Sequence, residues 1–561
     1  MPNVTFVITY IHNNVSQYQE RDMEWRFQKF LEIAKTGINI CLYLSPECIE
    51  CYAKYLKEYD NIKLMKIIKL EDTIVSRIYD KYEHSMPVYI HINKEKDTEN
   101  YMKIILSKAE YLKDAIDENP WGSTHFAMID FSISHVFKDM NKSLEKLKMI
   151  STTNFPEKIF LIPGCWNPTL ENQIEEYLLN IPCWRFCGGF YLADKESMLE
   201  YWNIYYSNLE GFVAKYKRIF WEVNYMSWLE TTTDWKVTWY KAYHNDGMLK
   251  IPYKCYIKCF DEESEKCEYD YPLIDGYLPS SASYLFHNGR HLLNTRFVNY
   301  SLTETGSYLI NDPSNILITK NVYSELDDQL MPTGYYEMDD GAVGLTSIDS
   351  YSHGLEDMRL YSLGDKVRFI ATNVNYSESR RNRMVAGDYN DDFTYSNCAV
   401  LEPPVFTWCE KNWVPIAIKN DAGDLEERFI YKWYPMEIGK MNLETNTLEI
   451  VKIYDIESPH FRRVRGSTIF IDNGDDLLGV VHYSEETAPR QYYHMLVTLD
   501  KETLAPKKQS APFCFQHYGI EFCIGFTIKD GKYVFWVSKK DNNAMRVSID
   551  VDKIQVNYDI I

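Results

Sequence analysis

The sequence predicts a multidomain chain: an α/β domain with a mostly parallel sheet, followed by an all-β five-bladed propeller. Three observations predict it. Apolar runs of strand length alternate with amphipathic helical runs from Val4 to about Pro252, so the sheet is covered on both faces. From about Leu273 the helical periods give way to short strands with turn signals, in segments that recur as blades do. Between the two lies an acidic stretch without a period, Asp261 to Asp270.

The first half opens with Val4 to Tyr10, an apolar strand with Thr in alternation. Gln17 to Lys35 reads as a helix, with Trp25, Phe27, Phe30, Leu31 and Ala34 near helical spacing. Ile38 to Leu44 is a strand, Pro46 to Tyr59 a helix and Ile62 to Ile68 another strand. Tyr101 to Glu118 is helix-forming, with Lys108 inside it. Phe126 to Ile129 is a buried strand that stops at Asp130. Helical Val136 to Ile150 follows, then the strand Lys158 to Ile162, the pair Gly188-Gly189, and helices from Lys195 to Tyr216 and from Phe220 to about Glu230.

An apolar strand ending in Asp presents an acid to the crevice beyond the carboxyl ends of an α/β sheet. In a sugar-transfer enzyme Asp130 would hold a divalent ion bridging the donor diphosphate. A strand-end Asp also caps turns. The glycine pair admits a close backbone approach or makes a bulge.

A net charge of −21 argues against non-specific nucleic-acid binding. Aromatics are 15% of residues, a load that suits strand cores and also stacking on sugar rings. No signal peptide and no membrane span is read, and 13 scattered cysteines fit a reducing, cytoplasmic compartment. Cys48-Ile-Glu-Cys51 has metal-knuckle spacing, but no second pair stands at zinc-site distance.

With these segments in view, residues 4–252 resemble the HtrL/YibB-like family of glycosyltransferases. The matching segments are the Lys108 helix, His125-Phe-Ala-Met-Ile-Asp130-Phe131, Gly188-Gly189-Phe190, Trp221-Glu222-Val223-Asn224 and His244-Asn245-Asp246. The resemblance implies a GT-A-like domain using a nucleotide sugar. Asp130, with His244 or Asp246, would hold Mn²⁺ or Mg²⁺. Lys108, Gly188, Gly189 and Asn224 would line the donor site. Glu222 would face the acceptor hydroxyl as base or orienting acceptor, or serve only as a first-turn helix carboxylate. The sequence departs from the usual Asp-x-Asp: here it reads Asp130-Phe131-Ser132.

The boundaries expected are 1–258 for the first domain, 259–272 for a linker and 273–561 for the propeller. In the second half, polar segments recur at blade starts, including Glu356-Asp357-Met358-Arg359, Glu410-Lys411-Asn412-Trp413, Arg463-Val464-Arg465 and Gly519-Ile520-Glu521. Innermost blade strands line one axis, so such segments would converge on one pocket.

That half resembles the five-bladed propellers of the β-mannoside phosphorylase superfamily, which includes propeller mannosyltransferases. Glu356-Asp357-Met358-Arg359 matches its Glu-Asp-Pro-Arg signature with Met in place of Pro. The resemblance implies Asp357 as proton donor or general base and Glu521 as a second carboxylate. It implies Arg296, Arg359 and Arg465 as binders of phosphate or a sugar carboxylate, with Lys411, Asn412 and His482 beside them. An Asp357–Arg359 ion pair that locks blade contacts is the structural alternative.

The function expected is a two-module glycosyltransferase that builds a glycan, or a glycoprotein's glycan, from nucleotide sugars. The alternatives are a β-mannoside phosphorylase or hydrolase with an inert first domain, and a non-catalytic glycan-binding protein.

Overall fold

Seven strands form the first sheet: β1 Val4–Tyr10, β2 Ile40–Leu44, β3 Ile62–Leu64, β4 His125–Ile129, β5 Phe160–Gly164, β6 Phe190–Asp194 and β7 Thr238–Lys241. Their order is β3-β2-β1-β4-β6-β5-β7. All neighbours are parallel except at β6, which runs antiparallel to β4 and β5. β2, β4, β5 and β6 are buried along their whole length. Helices cover both faces, so these strands read as continuous apolar runs. The order doubles back beside β1, the kind of point at which open α/β sheets offer a crevice beyond their strand ends.

This is a computed structural model. It describes all residues except 1–2, 13–20, 88, 90–95, 420–422, 457, 517 and 561, and all remaining side chains except those at 459 and 460. Residues 17–20 of the expected first helix lie outside the described residues; the rest forms Met23–Ala34. The run from Tyr101 to Glu118 is two helices, Glu99–Leu106 and Lys108–Glu118. Ser107 separates them, its hydroxyl turned back onto the carbonyl of Ile104 at 2.8 Å. Lys108 therefore heads a helix. β6 and β7 were not read from the sequence. β7, at four residues, is too short to show a period, and β6 runs straight into the helix Lys195–Tyr216.

The chain divides into two units, Met1–Tyr256 and Ile257–Ile561. The stretch expected as a linker, 259–272, belongs to the second unit. Lys258–Cys259 pairs with Phe513–Cys514, and Glu265–Cys267 adds a fourth strand to the sheet of Glu521–Lys529, Lys532–Lys539 and Asn543–Asp550. An early segment thus closes the last sheet, which explains its charge without looseness.

The second unit is propeller-like, built mainly of antiparallel meanders. Four sheets have blade size. They begin at Leu278, Glu356 and Val414, and the fourth at Glu521 with its added edge strand. The expected count of five is corrected to four among the described residues. The strands between Arg465 and Cys514 recruit Val556–Asp559 and Lys258–Cys259 and merge into one eight-stranded sheet.

Candidate functional site

In the first unit Lys108 gathers the expected carboxylates. Its ammonium donates to the Gly188 carbonyl at 2.9 Å and to Glu222 Oε1 at 2.9 Å, and meets Asp130 Oδ1 at 2.8 Å. All three N–H donors are thereby used. Burial acts to lower the Lys108 pKa, but Asp130 and Glu222 outweigh it and hold it above the usual lysine value. Burial pushes Glu222 up to about 7, with Asp130 adding to the rise and Lys108 opposing it. One cation faces two carboxylates.

The glycine pair is explained by this cluster. A Cβ at Gly188 would lie 1.9 Å from Glu222 Oε1, and one at Gly189 would lie 3.2 Å from Asp130 Oδ2. Both carboxylates rest on bare backbone. Asp130 does not cap the next turn; the strand-end Asp that caps is Asp194, whose Oδ1 accepts from the amides of Glu196 and Ser197.

The other residues expected at the donor site have different work. Asn224 is fully buried, accepting from the Cys183 amide and donating to the Ile181 carbonyl, both at 2.9 Å. It pins the loop before Gly188. Asp246 pairs with Lys250 at 2.8 Å. His244 stands with Cys165 and Cys187, their ligand atoms within 4.8 Å of one another. Among the described residues Asp130, His244 and Asp246 form no common three-ligand group. A cavity of about 610 Å³ opens beyond β1 and β2, lined in part by Ser45, Glu47, Lys69, Glu71, Asp80 and Lys103, without Asp130, Glu222 or His244.

In the second unit the strand starts do meet. Arg359 is fully buried, and its guanidinium donates to the Ser467 carbonyl at 2.6 Å, the Asp357 carbonyl at 2.9 Å, Asn412 Oδ1 at 2.9 Å and the Gly466 carbonyl at 3.2 Å. It locks three strand starts together through neutral oxygens. This corrects its expected role as a phosphate ligand, and the alternative Asp357–Arg359 ion pair is not found among the described residues, although Arg359 does lock strand starts together. Glu521 is also spent, accepting the amides of Phe515 and Gln516 at 2.8 Å each. His482 is buried against Ser467 Oγ at 3.0 Å, and burial holds its pKa well below the usual imidazole value. Arg465, opposite His482 in register, is exposed.

Asp357 has a different partner. Arg296 donates to Asp357 Oδ1 at 2.8 Å and lies 3.7 Å from Glu356 Oε2, while Lys411 lies 3.8 Å from the same Glu356 oxygen. The two longer separations exceed hydrogen-bond length. Asp357 has φ of +50° and sits at a register shift between Glu356 and Arg359. The bulge re-aims its side chain, at a conformational cost that its surroundings must offset. Met358, in the position of the signature Pro, is fully buried in the core and anchors the bulge.

Sequence reasoning missed Asp541. It lies in the turn between Lys532–Lys539 and Asn543–Asp550, where Lys540 and Asp541 both have positive φ, as a type I′ hairpin requires. Arg296, Asp357, Lys411 and Glu356 all act on its charge. Tyr300 and Tyr308 feel Arg296, Glu356 and Asp541, and Tyr492 feels Asp541 and Asp357. The two Asp are pushed apart. Burial raises the Asp541 pKa from its ordinary value. For Asp357 burial acts the same way but is outweighed by Arg296, Lys411 and Arg359, so its pKa falls.

No family model and no curated protein matches the chain. Solved structures do. A β-1,2-mannobiose phosphorylase from Listeria innocua aligns at 11% identity over 52% of this chain and 97% of its own, with a TM-score of 0.35. A mannose phosphorylase from Leishmania mexicana, in complex with phosphate ion, aligns at 14% over 53% and 92%, with a TM-score of 0.34. A glycosyl hydrolase from Bacteroides ovatus aligns at 9% over 54% and 93%, with a TM-score of 0.34. Similarity of this size assigns no activity.

The expected two-module nucleotide-sugar glycosyltransferase is corrected at this point. The similar structures are phosphorylases and hydrolases, and the residues meant to hold the donor's metal are committed elsewhere. Among the described residues no helix is long and apolar enough to cross a membrane.

Proposed function

We propose that the second unit cleaves β-mannosidic bonds, passing the glycosyl group to inorganic phosphate or to water. The observation that supports this most is Asp357 ion-paired with Arg296 beside Glu356 and Lys411, with the charges of these four groups acting on Asp541. Two carboxyl groups whose environments drive their pKa values apart are what acid–base cleavage of a glycoside uses. Asp541, which burial biases toward its protonated form, gives a proton to the departing glycosidic oxygen as the C1–O bond breaks. Asp357 stays ionised and takes the proton of an attacking water. When phosphate attacks C1 instead, its charge is met by Arg296 and Lys411, whose contacts to Glu356 are loose. The mannoside assignment rests on the Glu356–Arg359 signature resemblance.

The first unit supports a GT-A-like reading in architecture alone: a mostly parallel sheet reversed at β6, with the order doubling back beside β1. The 13 unbridged cysteines support a reducing compartment.

The test is incubation of the full chain with β-linked manno-oligosaccharides, with and without inorganic phosphate. Mannose 1-phosphate or free mannose supports the reading. Intact substrate under both conditions, from a folded protein, refutes it.

A further inference from the structure

We infer that Cys165, Cys187 and His244 form a binding site for a zinc-class soft divalent cation, with one coordination position open. Their ligand atoms lie within 4.8 Å of one another, and the two sulfurs are 3.5 Å apart. Around a tetrahedral zinc with Zn–S bonds of about 2.3 Å, two sulfurs sit about 3.8 Å apart. The spacing therefore suits a shared ion with little movement. It is also well beyond the covalent S–S distance of about 2.05 Å, and both thiols are free.

Three neighbouring segments deliver the ligands. Cys165 follows β5 and Cys187 precedes the glycine pair. The Cys165 amide donates to the Trp184 carbonyl at 3.2 Å, and the Cys187 amide to the Pro163 carbonyl at 2.8 Å. His244 follows β7, whose continuation is tied to β5 by the Ala242 amide on the Gly164 carbonyl at 2.9 Å. Gly164 has no room for a side chain, because a Cβ there would lie 2.2 Å from the Arg185 carbonyl. Backbone bonds thus fix all three positions before any ion arrives.

The loop that carries Cys187 is fixed again by Arg185. Its buried guanidinium grips Glu230 through two bonds, of 2.8 and 2.6 Å, and donates to the Trp166 carbonyl at 3.1 Å. The Trp184 ring packs edge-on against His244, centroids 4.6 Å apart, which orients the imidazole. Supporting contacts of this kind hold metal ligands in place.

The donor chemistry selects the ion. Two thiolates and an imidazole suit zinc and other soft or borderline cations, whereas Mn²⁺ and Mg²⁺ prefer oxygen. Two thiolates also neutralise a divalent charge. Three protein ligands leave a fourth position for water or an anionic oxygen, the arrangement of a zinc site open to chemistry. Cys48 and Cys51, the pair with knuckle spacing, are not part of this group.

The experiment uses the reduced full chain and Co²⁺ as a spectroscopic probe for zinc. One equivalent should bind, with a thiolate-to-cobalt charge-transfer band. The band should vanish in Cys165→Ser and Cys187→Ser and weaken in His244→Ala. Each variant should bind at least about tenfold more weakly, since even supporting residues of metal sites cost about that much. Cys51→Ser should behave as the parent chain. If Cys187→Ser fails to fold, His244→Ala decides, because His244 is exposed. Zn²⁺ should raise the melting temperature of the parent and not of His244→Ala. No stoichiometric uptake by the reduced chain, or a band unchanged in these variants, overturns the site.

Discussion

Arg296 donates to Asp357 across two different sheets, at 2.8 Å. The Arg296 charge is the largest influence holding the Asp357 pKa below its ordinary value against burial. In Arg296→Gln the Asp357 pKa should rise. A base with a raised pKa is protonated at higher pH, so the acid limb of the kcat/KM profile should move to higher pH. A pH–rate profile of the two forms checks this. An unmoved limb would exclude Asp357 as the group that titrates.

Arg359 is a fastener of strand starts. Arg359→Met should leave several buried oxygens unpaired, at about 1–3 kcal/mol for each group left without a partner. Denaturant melts should show a stability loss of about 3 kcal/mol or more. A loss confined to phosphate affinity, with stability kept, would restore the ligand role that the structure denies it.

Gly188 and Gly189 give a graded pair. Gly188→Ala drives a methyl to 1.9 Å from a carboxylate oxygen that is itself held by Lys108. It should cost about 1–3 kcal/mol, the range for overpacking. Gly189→Ala meets its neighbour at 3.2 Å and should cost less. Thermal unfolding of both variants gives the order, and the reverse order would contradict the described packing.

Glu222 predicts a pH dependence of stability. Its pKa is raised from 4.5 in the unfolded chain to about 7 in the folded one. Between these values the folded form binds more protons, so stability falls as pH rises through that window and is flat above it. Glu222→Gln removes this proton uptake and should flatten the slope. Melting temperatures of both forms from pH 4.5 to 8 measure it. Equal slopes would show that Glu222 does not hold the proton.

Much of the fold was legible because burial writes itself into composition. β1, β2 and β4 are continuous apolar runs, and the Lys195–Tyr216 helix spans 22 residues. β7 was missed because four residues carry no usable period, and β6 because its apolar run passes from the glycine pair straight into the Lys195–Tyr216 helix with no turn between. The acidic joint was read as loose because edge strands are allowed charge on their open side. In the first unit, Lys108, Asp130, Glu222 and both glycines were named from the sequence, and the fold brings them together. Nothing local showed that Lys108 would take all three partners. Asp541 was missed because an Asp in a Lys-Lys-Asp-Asn turn reads as turn chemistry. Only the closing of the propeller-like unit carries it to Arg296 and Asp357. Cys165, Cys187 and His244 are separated by 22 and 57 positions, beyond any spacing rule for metal ligands.

The central claim is that Asp357 and Asp541 divide acid and base roles in glycoside cleavage. The most direct measurement is turnover of a β-mannoside by the parent chain, Asp357→Asn and Asp541→Asn, at equal folded concentration. Each substitution should lower kcat by about 10²- to 10⁴-fold, the usual contribution of a general acid or base. Parent turnover that survives either substitution unchanged would contradict it.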